Sequence, residues 1–170
     1  MIDAIPAVLA WAPAKQRKLG LKFDFTFKKS ATKPRVGAFS VGWKIPALEA
    51  HDPTVVARAS RMREGTTPLR EHLVEVAGYG LALCAISAML PGRKVVGWSR
   101  YAAPDVLFDN TPGAIRGVEV AARSAGGAAK LRELESQKKP PLIEDADVAE
   151  AWLSLWSREP EVGWFVRVKP

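Results

Sequence analysis

Two acids stand where apolar strands are expected. In the stretch APDVLFDNTPGAIRGVEVAARSAGG, residues 103 to 127, Asp105 opens one strand-like run and Glu119 lies inside the next. Alternation along GVEVAAR puts Val118, Val120 and Ala122 on one face and Glu119, Ala121 and Arg123 on the other. On a strand covered on both sides, an unpaired carboxylate is costly and acquires a proton or a cation. Arg123 is four residues along, roughly 13 Å at strand rise, and Arg116 points to the opposite face. Asp105, Leu107 and Asp109 share one face of the preceding strand. If that face adjoins Glu119's, two carboxylates converge. Like charges about 4 Å apart repel by around 1 kcal/mol in water and by several in a partly buried site, which favours a divalent cation. Hard oxygen ligands suit Mg²⁺ or Mn²⁺. One cysteine and the scattered His51 and His72 give no support to a zinc site.

The elements that must position these acids follow from pattern. KVVGWS, DVLFD and GVEVAARS are short, β-branched or aromatic, and separated by turn chemistry, so they predict three successive strands. Before them, Thr67 and Pro68 open a long, largely buried helix that runs to the Pro91-Gly92 stop. Its Gly78 and Gly80, with neighbouring alanines, leave a smooth surface on which a sheet can sit closely. Glu71 and Glu75 lie one turn apart near its start, where carboxylates also gain from the helix dipole. After the strands, SAGG leads into a helix over AAKLRELESQKK that KPP should end. The run DADVAEAWLSLWSRE puts Ala149, Trp152, Leu153 and Trp156 on one helical stripe, predicting a second helix whose tryptophans are core rather than base-stacking. VGWFVRVK closes the chain as a strand. Upstream, LKFDFTFK alternates as a half-buried strand, with RVGAFSVGWKI as the other arm of a hairpin. DPTVVARASRMRE suggests a short helix capped by Asp52 with Pro53 at its first position, and Arg58, Arg61 and Arg63 as a solvated face or phosphate contacts.

Length and composition bound the rest. A chain of 170 residues, 48% hydrophobic, buries one proper core, so a single domain over 1–170 is expected. The net charge of +7 favours polyanionic partners, nucleic acid first. Cys84 sits alone in an apolar run, which points to a core thiol and a reducing, cytoplasmic compartment. The N-terminal apolar patch carries Asp3 and is broken by proline, unlike a signal peptide. No apolar run is expected to reach the roughly 18 residues that span a bilayer, so no membrane association is expected.

The order helix, three strands, helix or helix pair, strand, with APD at 103 to 105, VEVA at 118 to 121 and glutamates on the first helix, resembles the PD-(D/E)XK nucleases. The resemblance covers roughly Thr67 to Lys169 and implies a restriction-endonuclease-like α/β core, with residues 1–66 as an N-terminal extension. It implies phosphodiester hydrolysis, with Mg²⁺ or Mn²⁺ held by Asp105, Glu119 and a first-helix glutamate, Glu75 or else Glu71. The sequence departs from the motif at Ala121, where the family's water-orienting lysine stands. Lys130 on the following helix or Arg123 on the same strand are the candidates to replace it. The alternative is a catalytically inactive relative that binds nucleic acid or a protein partner, a second copy of the chain included. RSAGGAAKLR offers either an anion cradle at a helix start or a strand-to-helix turn that needs small residues.

Overall fold

Leu21, Phe23 and Phe25 alternate with polar residues because one face of their strand is covered. The computed structural model describes residues 4–17, 19–29, 33–65, 67–99, 102–109 and 111–170; the side chains of 67–71, Glu71 among them, lie outside the described residues. In chain order the elements are α1 (Ala4–Trp11), β1 (Gly20–Lys28), β2 (Arg35–Gly42), α2 (Ile45–His51), α3 (Val55–Glu64), α4 (Thr67–Met89), β3 (Val95–Trp98), β4 (Val106–Phe108), β5 (Ile115–Arg123), α5 (Gly127–Glu144), β6 (Val148–Ser157) and β7 (Val162–Lys169). The described residues thus form a mixed α/β fold with a seven-stranded sheet ordered β2-β1-β7-β6-β5-β4-β3. β3, β4 and β5 form an antiparallel meander, α5 crosses over, and β6 returns parallel to β5. The β1–β2 hairpin continues the same sheet, because β1 runs parallel to β7.

Two layers cover this sheet. On one face, Ala77, Leu81, Ala82, Ala85 and Ile86 of α4 and Trp11 of α1 pack with Val118, Val120, Ala122, Trp152 and Trp156. On the other, Leu131, Leu134 and Leu142 of α5 pack with Ala121, Leu153 and Leu155. The close approach expected of α4 depends on Gly78, where a Cβ would stand 3.0 Å from that of Ala122 on β5. Cys84 belongs to the packed side of α4, and burial pushes its thiol up.

Several expectations are corrected. The segment expected as a second helix is β6. Its Ala149, Trp152, Leu153 and Trp156 fit helical spacing, but a strand buried on both faces carries apolar residues continuously and imitates that pattern. Period two decides the contacts: the indole N–H of Trp152 donates to Glu150 and that of Trp156 to Ser154, each 2.8 Å away and two residues back on the same face. Pro140 and Pro141 do not end α5, which continues to Glu144. They are exposed while Leu142 is fully buried, and Lys169 donates to the carbonyls of Ile143 and Asp145 at its end. α3 starts at Val55 rather than Pro53; Asp52 instead accepts from the Thr54 backbone and from Arg58. The N-terminal patch forms the buried helix α1, which was not foreseen. Finally, α4 does hold an 18-residue window, His72–Met89, of mean hydropathy 1.5, long and apolar enough by composition to cross a bilayer. Here its buried side lies on the sheet and on α1.

Candidate functional site

The acids meet where the meander opens. β4 pairs with β5 only through Val106↔Val118 and Leu107↔Gly117, so Glu119–Arg123 run on without a neighbour from β4. Extending that antiparallel register by one residue sets Asp105 opposite Glu119, with side chains on the same face. Gly117 makes this possible: a Cβ there would come within 2.4 Å of both Pro104 and the Val106 carbonyl, so only glycine lets the segment before β4 lie against β5. The Val120 N–H, left over by the short β4, donates to Asp105 Oδ2 at 2.8 Å and fixes the carboxylate. The notch widens into an open pocket of about 780 Å³ lined by α4, by the end of β5 and by α5.

Glu119 is buried, at 4% exposure, and faces the α5 layer. Its Oε1 accepts from Lys138 Nζ at 2.5 Å, while its Oε2 is buried without a hydrogen-bond partner. Asp105 lies within proton-sharing reach of it. Burial first, and then the Glu119 charge, push the Asp105 carboxyl up to about 6, although the Val120 N–H and the Lys138 ammonium pull the other way. Two carboxylates facing one ammonium leave one negative charge unmatched. From α4, the Tyr79 hydroxyl reaches Glu75 Oε1 at 3.1 Å and Asp105 Oδ1 at 3.4 Å. Burial, then Asp105 and Glu75, hold that hydroxyl protonated well above its ordinary range, so it remains a donor to the acids. Trp98, 38% exposed, packs edge-on against Tyr79 with ring centroids 5.3 Å apart.

Of the residues expected to act together, Asp105 and Glu119 are adjacent. Glu75 lines the same pocket but joins them through the Tyr79 hydroxyl. Arg123 lines the rim and donates to the Ala122 carbonyl at 2.8 Å. Lys130 is turned to Glu133, 2.6 Å away. Asp109 leaves the acids' neighbourhood, adopting φ 45° and pairing with Arg93. The cation at Glu119 is Lys138, which sequence reasoning missed. Its signal was present: Leu131, Leu134 and Leu142 mark the buried stripe of α5, and position 138 falls on that stripe at helical spacing. The anion cradle is not free, since the Gly127 N–H donates to Ser157 Oγ at 3.0 Å and the Gly126 N–H to the Glu159 carbonyl at 3.1 Å.

The donor set suits a hard divalent cation in part. Asp105 and the unpartnered Oε2 of Glu119 supply converging carboxylate oxygens and an excess negative charge. Among the described residues, however, no three His, Cys, Asp or Glu side chains stand together closely enough to hold an ion by themselves. Water or a bound phosphate would have to complete the shell. Comparison of the chain with protein-family models, curated proteins and solved structures finds no match.

Proposed function

We propose that the protein is a metal-dependent nuclease of PD-(D/E)XK type. The observation that carries this reading is the convergence of Asp105 and Glu119, with the Lys138 ammonium on the second acid, in an open pocket. Further support comes from the element order α4, β3, β4, β5, α5 with β6 parallel to β5, and from the net charge of +7. Asp105 and Glu119 would hold Mg²⁺ or Mn²⁺, which would activate water and neutralise charge building on the phosphate. Lys138 takes the part of the absent motif lysine. It reaches Glu119 from the helix instead of from position 121, and its side chain is 41% exposed, near enough to solvent for the ammonium to orient a water. Tyr79 keeps Asp105 in place from the α4 side, and Arg123 at the rim is positioned to meet a phosphate oxygen.

Incubation with nucleic acids and Mn²⁺ or Mg²⁺ is expected to give cleavage that chelation stops and Asp105→Ala abolishes. Cleavage persisting in that variant would refute the assignment. A second reading, a non-catalytic module that binds nucleic acid or a protein partner, is favoured by the Lys138–Glu119 pair, which already occupies one of the two carboxylates. It predicts salt-sensitive binding or stable association without cleavage under any divalent ion.

A further inference from the structure

A row of guanidiniums begins at the pocket rim and leaves it in a direction the acids do not explain. Arg123 ends β5. The backbone N–H of Arg158, just past the end of β6, donates to the Arg123 carbonyl at 3.0 Å, so the two arginines stand at neighbouring carboxyl ends of parallel strands. Arg158 Nη1 then donates to the Trp11 carbonyl at 3.2 Å, and Arg17 Nε to the Ala12 carbonyl at 3.0 Å. Consecutive carbonyls at the end of α1 therefore each hold one guanidinium by a single N–H. Arg63, in the last turn of α3, donates to Ser60 Oγ at 2.7 Å.

These charges oppose one another. Burial first, and then Arg63 and Arg158, lower the Arg17 guanidinium from its ordinary value. The acids beside them are Glu159, 3.0 Å from Arg158, and Glu161, which accepts from Gln16 at 2.7 Å. Guanidiniums tethered at one edge keep the rest of their N–H fork for another acceptor, and a planar fork suits phosphate oxygens. Glu159 offsets part of the charge at Arg158, and an anion from outside would relieve the repulsion that Arg63 and Arg158 exert on Arg17. All of this lies between the pocket and the N-terminal helices, and Arg17 and Arg63 fall within residues 1–66, which the nuclease resemblance does not cover.

We propose that Arg158, Arg17 and Arg63 form a phosphate-backbone track that carries a nucleic acid strand from the Arg123 rim across the end of β6 to α1 and α3. The proposal rests on the nuclease reading of the acid pocket and adds the direction and minimum reach of its substrate. A strand too short to extend past β6 would forgo these contacts and bind more weakly.

The test is binding of a labelled duplex of about 20 base pairs to the full chain in chelator, measured by anisotropy across a salt series. Each phosphate contact removed should reduce the log–log salt slope by about 0.9. Arg63→Ala is expected to lower the slope by about 1, and Arg17→Ala with Arg63→Ala by about 2. Lys94→Ala, an equal charge change beyond the far end of α4, should leave the slope unaltered. Because Arg63 is held through one serine hydroxyl, its variant keeps the fold, which circular dichroism checks. An unchanged slope in the arginine variants, or the same change in Lys94→Ala, overturns the track even if the protein cleaves nucleic acid. A lowered slope without cleavage under any divalent cation would keep the track and refute the hydrolytic reading. No binding at all would overturn both.

Discussion

Lys138→Met is expected to destabilise the protein by about 2–4 kcal/mol near neutral pH in chelator, whereas Glu119→Gln should cost about 1 kcal/mol or less. The asymmetry follows from where the two partners sit. Glu119 is 5% exposed at its side chain and Lys138 is 41% exposed. Removing the ammonium strands a buried carboxylate beside a second one, and Asp105, which Lys138 holds down, would titrate higher still. Removing the carboxylate's charge instead relieves its repulsion with Asp105 and lets the ammonium swing into water. The double variant should therefore recover most of what Lys138→Met loses, a coupling that urea unfolding of the four proteins measures. Equal costs for the two single variants would show that Glu119 and Lys138 form an ordinary pair with no second acid pressing on it. If Lys138 also orients the attacking water, Lys138→Met should reduce cleavage by about 10²-fold or more, beyond any loss of folded protein.

Asp105→Asn carries the opposite sign. The Asp105 carboxyl is raised from 3.8 to about 6, so between those values the folded protein binds a proton that the unfolded chain has released. The Asp105 contribution to stability is largest below about pH 4, falls as pH climbs to about 6, and stays at the lower level above that. A shift of this size corresponds to at most about 3 kcal/mol, and roughly half of that remains once solvent at this half-buried group is allowed for. Asparagine is neutral at every pH. Its carbonyl can still accept from the Val120 N–H, and its amide can donate to Glu119. Without divalent cation the variant should be more stable than the wild type by about 1–2 kcal/mol near neutral pH and equal to it near pH 4, while cleavage is lost. Thermal melts across pH read the difference. A variant less stable at neutral pH would mean that the native carboxylate is already compensated.

The acids were legible and their cation was not, for a physical reason. Asp105 and Glu119 come from successive strands of a meander, where alternation and local pairing decide which side chains meet. Lys138 arrives from a crossover helix, and its contact depends on how α5 lies on β5 and β6. Its place on the Leu131–Leu134–Leu142 stripe could have been read as a cation facing inward. The strand mistaken for a helix shows the limit of periodicity more sharply. Trp152 and Trp156 are four residues apart, which suits one face of either element, and only the cover of α4 on one side and α5 on the other selects the strand. β1 was plain because only its inward face is apolar. α1 was missed because a helix this short is held by packing on α3 and α4, not by any pattern of its own.

The central claim is that two carboxylates share one unmatched negative charge that a doubly charged ion neutralises. Calorimetric titration of the wild type and Asp105→Asn with Mn²⁺ tests it most directly. The expected result is a single wild-type site whose affinity rises as pH passes through about 6, when Asp105 gives up its proton, and which Asp105→Asn weakens at least about tenfold. Mn²⁺ binding that is absent from the wild type, or equal in the two proteins, would contradict the account.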